Sequence, residues 1–444
     1  AKTEWFLSAS IDSRTKLMTA TTKESTIAAT TDDGRMRVLF VLSLAELLGM
    51  ALWFSATAVI PALTQEWNLT DAGRSWLTMS VQIGFVVGTL LSALANLPDV
   101  VNSRRLFTIC ALLGAFCNAA IGWWVDAIEP AIVLRFLTGV CLAGVYPPGM
   151  KIMATWFRKG RGMAIGMLVG ALTIGSASPH LLHALGGSAD WRHLMLLASA
   201  SAVAAAVLCA LFVSDGPYAT GGARFDWRAA GRAFGDRAVR LANFGYLGHQ
   251  WELYAMWTWI PLFLHASIMQ SDPELAPWTG VAAFSVIAVG GIGCAVAGVI
   301  ADRVGRTRVT IVSMAVSGTC CLLAGPLFGG HPLLLLALCL IWGFAIVADS
   351  AQFSASITEL CDPQYVGTTL TMQTCLGFLL TLVSIRIVPW LLDPFGWEAV
   401  FAFLAVGPVF GIISMARLRR LPEAAKIGGE RFTQSSSTHE SSTT

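Results

Sequence analysis

Twelve apolar windows of about 20 residues follow one another along this 444-residue chain, each long enough to cross a hydrocarbon core of roughly 30 Å as a helix. Their approximate extents are 37–63, 74–97, 104–125, 130–153, 161–186, 192–213, 240–267, 276–300, 308–328, 332–356, 364–392 and 395–417. Only 13% of the residues are charged and 55% are hydrophobic, against roughly 25% charged in an ordinary soluble domain. The expected fold is therefore an all-α membrane protein with twelve transmembrane helices.

The placement of charge orients these helices. With the amino terminus in the cytoplasm, the inner loops and helix ends hold Arg35, Arg104, Arg105, Arg158, Arg161, Arg237, Arg303, Arg306, Arg417 and their basic neighbours, whereas the outer loops hold only Arg74 and Arg192. That asymmetry predicts both termini on the cytoplasmic side and an even number of spans. The net charge of +2 is too small to point to nucleic acid or an acidic partner. The cysteines fall mostly in apolar runs and form no C-x-x-C, so they read as small apolar filler.

A pattern recurs along the chain. Glu46, Leu47, Met50 and Trp53 reappear as Glu252, Leu253, Met256 and Trp259, an offset of 206 (252 − 46). Asp99 and Asp302 lie 203 apart (302 − 99), and Gly162 to Met167 matches Gly367 to Met372 at 205 (367 − 162). An offset that stays near 205 implies duplication of a six-helix unit, its copies related by an axis along the membrane normal. The expected division is a disordered tail at 1–35, an amino-terminal bundle at 36–213, a cytoplasmic linker at 214–239, a carboxy-terminal bundle at 240–420 and a second disordered tail at 421–444.

Between the eighth and ninth windows the chain reads Gly298-Val-Ile-Ala-Asp302-Arg303-Val-Gly305-Arg306-Thr-Arg308, and its first-half copy keeps Asp99, Arg104 and Arg105 but replaces both glycines. In residues and position the former resembles the loop signature of the major facilitator superfamily. Arg135-Phe-Leu-Thr-Gly139 in the fourth window resembles a second motif of that family. The resemblance covers residues 36 to 420 and implies two six-helix bundles related by a pseudo-twofold. It implies that the first and seventh helices line a central cavity and that the second, fifth, eighth and eleventh slide past one another. The spacings Gly84-x-x-x-Gly88 and Gly162-x-x-x-Gly166-x-x-x-Gly170 suit close helix contact. The antiporter signature of the fifth helix is not reproduced between Gly170 and Pro179, which counts against a drug/proton antiporter.

Ionisable residues inside apolar windows mark substrate or proton sites, because burying them in lipid is costly. Glu46, Arg135, His249, Glu252 and Asp349 are the candidates for solute binding and proton coupling. A carboxyl that alternates between dry and wet surroundings can take up and release a proton. His249 lies three residues before Glu252 on one helical face, within pairing distance. The ordinary alternatives are hydrogen-bonded structural carboxyls, a packing histidine and, for Arg135, snorkelling to the interface. Lys151 and Arg386 are read as snorkelling. Trp53, Tyr146, His180, Tyr254, Trp259 and Gln352 are candidate cavity-lining residues. Asp99, Arg104, Asp302, Arg303, Gly305 and Arg306 are candidates for a lock closing the cytoplasmic side, the alternative being positive-inside topology alone.

The expected function is secondary active transport of a small polar solute by alternating access, with protons as the coupling ion. The intramembrane bases lean towards an anionic or zwitterionic metabolite; the acids and tryptophans suit an alternative, efflux of cationic or amphiphilic drug-like compounds. A transporter-like solute sensor is a third class. There is no nucleotide-binding loop, metal-spaced His/Cys cluster or nucleophile motif, so no cofactor, no metal and no enzyme activity are expected. The expected setting is a monomer in the lipid bilayer of a bacterial inner membrane.

Overall fold

The computed structural model describes residues 34–157, 160–186, 190–218, 235–362 and 365–428, and the description is all-helical. The tails at 1–33 and 429–444 and the linker residues 219–234 lie outside the described residues. Ten described helices are long and apolar enough to cross a membrane. They are α2 (Asp71–Leu94), α3 (Ser103–Trp124), α4 (Ile128–Trp156), α5 (Arg161–Gly186), α6 (Trp191–Phe212), α8 (Thr279–Val304), α9 (Arg306–Ala324), α10 (Pro332–Leu360), α11 (Val366–Phe395) and α12 (Trp397–Arg419). The other two spans, α1 (34–67) and α7 (Arg237–Ser271), begin the two halves and carry Glu46 and Glu252.

Large apolar side chains on these helices point outward, among them Leu112, Leu113 and Phe116 on α3 and Leu333, Leu334 and Ile341 on α10. A water-facing surface would not tolerate such a belt; hydrocarbon does. Each bundle repeats the same pairing: α2 packs on α4 and α3 on α6, as α8 packs on α10 and α9 on α12. The closest approaches repeat as well. A Cβ on Gly139 would fall 2.0 Å from the Val81 carbonyl oxygen, and one on the corresponding Gly343 would fall 1.7 Å from that of Val286. Gly84 belongs to this contact, 1.9 Å from Phe136 O by the same construction, so it faces α4 within its own bundle and is not part of a sliding face.

Two seams join the bundles, α5 with α8 and α2 with α11, and the first is far more extensive. Along it, Cβ atoms added at Gly166 and Gly170 would come within 2.9 Å of Cys294 O and 2.6 Å of Gly291 O. The expected small-residue contact of α5 therefore lies against the other bundle.

Three elements differ from the sequence expectation. The first window, read as one helix over 37–63, is helical over 34–50, turns at 51–54 and resumes at Ser55. Helix α7 starts at Arg237, ahead of 240, because Asp236 caps it by accepting hydrogen bonds from Ala238 N (2.8 Å) and Val239 N (3.0 Å). The tail expected from 421 keeps order to 428: a short helix at Pro422–Lys426 precedes Ile427, which is buried with Leu418 and Ala238 and anchors the segment.

Candidate functional site

A cavity of about 860 Å³ lies between the bundles, lined by α1, α2, α4, α5, α7, α10 and α11. It reaches the surface at Gly160, Asp302 and Gly367, all exposed and all on the side bearing the basic loops. At its other end Trp53, Phe54 and Phe85 of the amino-terminal bundle meet Tyr254, Trp257 and Phe378 of the carboxy-terminal one. Ring centroids are 4.8 Å apart for Phe85 and Phe378, 5.6 Å for Trp53 and Tyr254, and 6.1 Å for Phe54 and Trp257. Such pairs each contribute about 0.5–1.5 kcal/mol beyond the area they bury, so the six rings form a stable roof.

The opening follows from the weaker seam. Helices α2 and α11 touch where Thr381 donates to Gln82 Oε1 at 2.6 Å and where Phe85 meets Phe378. One turn nearer the basic loops, Thr89 on α2 and Thr371 and Thr374 on α11 line the cavity instead. Along this seam the bundles are closed on one side of the membrane and parted on the other, while α5 and α8 stay in contact.

Helical periodicity divides α7 into two working faces. Tyr246, Gln250, Leu253, Tyr254 and Trp257 line the cavity, whereas His249, Glu252 and Met256 point into their own bundle. His249 and Glu252 share a face as expected, but they find different partners. His249 Nδ1 lies 2.8 Å from Asp349 Oδ1 on α10, and both side chains are buried. Asp349 occupies an interruption in α10, between Pro332–Ala348 and Ser350–Leu360, and this turns it towards α7.

Glu252 is held by three donors: Trp342 Nε1 at 2.5 Å, Ser317 Oγ at 3.0 Å and Cys321 Sγ at 3.2 Å. Its counterpart Glu46 is also fully buried, yet among the described residues neither of its carboxyl oxygens has a hydrogen-bond partner. Glu46 lies against α4, where a Cβ added at Gly149 would fall 2.9 Å from Oε2. The two carboxyls thus do not face each other across the cavity, because the faces of α1 and α7 that do so belong to Trp53 and Tyr254.

Arg135 is completely buried on α4 and reaches the turn in α1. Its Nη1 donates to Leu52 O at 2.7 Å and Ser55 Oγ at 3.2 Å, its Nη2 donates to Trp53 O, and its Nε is 3.5 Å from Leu77 O. A break in a membrane helix frees carbonyls that must be satisfied within the protein, and the guanidinium fork satisfies two of them at once. Asn118 completes the arrangement, accepting from Ser55 Oγ at 2.7 Å and donating to Met195 O at 2.9 Å. Arg135 does not snorkel, because its donors are engaged inside the bundle.

Of the remaining candidates, Tyr146 and Gln352 line the cavity with Trp53 and Tyr254. Trp259 lies elsewhere, donating to Ile385 O on α11 at 3.1 Å, and His180 is buried with its ring 6.4 Å from that of Phe54. Arg386 sits over the Trp390 ring at 5.3 Å. Lys151, expected to snorkel, lines the cavity because the interruption of α4 at 143–145, just before Pro147 and Pro148, re-aims its inner half.

Residues 42–383 and 269–439 match the family model described as Major Facilitator Superfamily. The chain belongs to the Major Facilitator Superfamily. It is accordingly an integral multi-pass membrane protein of a transporter superfamily, with the twelve helices in two six-helix bundles. The solved structure of the superfamily's proton:xylose symporter XylE bound to 6-bromo-6-deoxy-D-glucose has the same fold, with a TM-score of 0.68 and 14% identity over 87% of this chain and 96% of that one. An uncharacterized MFS-type transporter, EfpA of Mycobacterium tuberculosis, is 27% identical over 32% of this chain and 27% of its own length. The inner membrane transport protein YnfM of Escherichia coli is 25% identical over 39% and 41%, respectively, and the putative niacin/nicotinamide transporter NiaP of Bacillus subtilis is 27% identical over 32% and 36%. The matches thus span less than half the length of these relatives.

Around the superfamily loop signature, Arg306 is the centre of a network. Its Nε and Nη2 form a fork on Glu359, at 2.9 and 2.8 Å, its Nη1 donates to Gln352 Oε1 at 2.8 Å, and its Nη2 is 3.4 Å from Asp302. Asp302 abuts the start of α5, where a Cβ on Gly162 would fall 2.7 Å from Oδ1. Gly305 has φ 101°, a conformation that side chains exclude. Arg303 is exposed. In the first-half copy Asn102 takes the place of Gly305 with an ordinary φ of −55° and caps α3, and Arg104 Nη1 is 3.3 Å from Val213 O within its own bundle. The Asp99 side chain lies outside the described residues.

Sequence reasoning missed Gln250, Phe85, Phe378 and Glu359. Gln250 was detectable as a further polar residue in the seventh window, and Glu359 as the residue two turns beyond Gln352. Nothing local marks Phe85 or Phe378.

Proposed function

We propose that this transporter carries a small polar solute with a flat or ring-shaped body through the central cavity by alternating access. The cavity wall supports this reading: aromatic faces of Trp53, Tyr254, Trp257 and Phe378 stand beside hydrogen-bonding atoms without protein partners among the described residues, namely Gln250 Oε1, Gln352 Nε2 and the Trp53 and Trp257 indole nitrogens. Rings stack on such faces, and groups of this kind fix orientation. Lys151 and Arg306 bring positive charge to the wall and Asp302 and Glu359 bring negative charge, whereas Glu46, Glu252 and Asp349 point elsewhere. A wall that carries both signs suits a zwitterionic solute, within the anionic or zwitterionic class, over a purely cationic one.

Protons are the proposed coupling ion, with the His249–Asp349 pair as their site. The pair adjoins, on the same two helices, the cavity-lining residues Gln250 and Gln352, with the Tyr246 and Phe353 rings packed beside His249. Solute binding against those two amides is the means by which the cavity reaches the pair. The Arg306–Glu359–Asp302 network joins α8, α9 and α10 within the carboxy-terminal bundle and is formed with the basic-loop side open, so we take it to brace that bundle, leaving Asp302 against the start of α5 as its contact with the other bundle. We take the basic-loop side to be cytoplasmic in a bacterial inner membrane, with both termini there and the transporter acting as a monomer.

A thermal-shift panel of ring-bearing acids, zwitterions and cations on the purified protein identifies the solute class, since a ligand that binds the native state raises its apparent stability. Proteoliposomes with an imposed pH gradient then test coupling. Anionic or zwitterionic hits that accumulate with the gradient support the proposal; stabilisation by cations alone points to efflux of amphiphilic cations, the second reading that the aromatic roof allows.

A further inference from the structure

We propose that the groove between the basic-loop ends of α7 and α12 is a binding site for an anionic phospholipid. The two helices meet tightly where a Cβ on Gly248 would lie 2.5 Å from Gly407 O and 2.7 Å from Gly411 N. On the flank of this contact Phe244 and Phe410 stand with ring centroids 5.5 Å apart. The groove measures about 310 Å³.

Its two ends differ in chemistry. Arg237, Arg240 and Arg417 surround the end near the loops, while Phe244, Phe410 and Ile413 line the end towards the bilayer. Phe410 and Ile413 are 44% and 46% exposed, so this wall faces hydrocarbon. The nearby Asp236 carboxylate is engaged in capping α7. Guanidinium groups bind phosphate in paired hydrogen bonds, and a basic pocket between membrane helices at the charged-loop face suits a lipid phosphate. The apolar half of the groove selects a lipid over a free anion, because an acyl chain continues from the phosphate along Phe244 and Ile413. The groove lies outside the central cavity and shares no residue with it.

The full chain in mild detergent is heated with added phosphatidylglycerol, phosphatidylcholine or inorganic phosphate. Phosphatidylglycerol is expected to raise the unfolding midpoint, and the other two are not. The double variant Arg237→Gln/Arg417→Gln should lose at least about half of that rise, and Arg420→Gln, an exposed arginine beyond the groove, should keep it. If the double variant does not fold, Arg417→Gln alone should move the lipid titration midpoint about fivefold, the effect of about one surface charge contact. An equal rise with phosphatidylcholine or with phosphate, or an unchanged response in the arginine variants, overturns the proposal.

Discussion

Asp349 on α10 stands 2.8 Å from His249 on α7, and the adjoining Gln250 and Gln352 form part of the cavity wall. The proposed proton site is thus one residue along each helix from the cavity wall. Asparagine keeps the size of the side chain and can still hydrogen-bond the His249 ring, so Asp349→Asn should fold at a cost of about 1–3 kcal/mol, that of a disturbed buried hydrogen bond. In proteoliposomes it should lose accumulation driven by a pH gradient while retaining solute exchange across equal pH. Gradient-driven accumulation at the wild-type level would refute the assignment.

Arg135 acts on the α1 turn through the shape of its fork. Arg135→Lys keeps the charge but cannot reach Leu52 O and Trp53 O together, and leaving either carbonyl unpaired costs about 1–3 kcal/mol. The lysine variant should therefore be nearly as destabilised in thermal unfolding as Arg135→Met. If lysine restores most of the stability that methionine loses, charge and not fork geometry is what α1 requires.

The hydrogen bond from Thr381 to Gln82 crosses the weaker seam on the closed side. Hydrogen bonds between membrane helices average about 0.6 kcal/mol, so Thr381→Val should shift the balance between arrangements by about threefold. The favoured shift is towards separation of the closed-side halves of α2 and α11. Distance distributions between spin labels on those halves should show a larger long-distance fraction, and a distribution identical to wild type would mean that this bond does not bias the closure.

Glycines of different surroundings should respond oppositely to one added methyl group. At Gly170 the new Cβ would lie 2.6 Å from Gly291 O, a backbone atom of the opposing bundle, and Gly170→Ala should cost about 1–3 kcal/mol through overpacking. At Gly49 the nearest atom is the Val145 side chain at 3.5 Å, so Gly49→Ala in helical backbone should be neutral or stabilising by about 0.5–1 kcal/mol. Unfolding midpoints of the two variants provide the comparison.

The spans were legible in the sequence because hydrocarbon imposes one length and one composition on nearly every crossing element. The duplication was legible because Glu46 and Glu252, like Gly162 and Gly367, keep their spacing, although the two carboxyls have different surroundings. The turn in α1 was not, since what stabilises it is Arg135, some 80 positions away and on another helix. Nor could periodicity say which face of α7 meets the cavity: Gln250 and Glu252 are both polar residues in one apolar run, and only the positions of α9 and α10 assign Glu252 to Ser317, Cys321 and Trp342. Lys151 was misread for a related reason, because proximity to a helix end suggests the interface until a neighbouring interruption redirects the side chain.

The interrupted α1 and the unbroken α7 descend from the same ancestral segment, yet one is now a corner and the other a strut. Arg135 is matched by Cys339 in the second half, 204 positions on (339 − 135), so α7 has no guanidinium at the corresponding place to satisfy the carbonyls of a like turn. Stiffness is therefore distributed unequally between two bundles of common origin: when the molecule flexes, the amino-terminal half has a joint beside the aromatic roof where its twin has a beam.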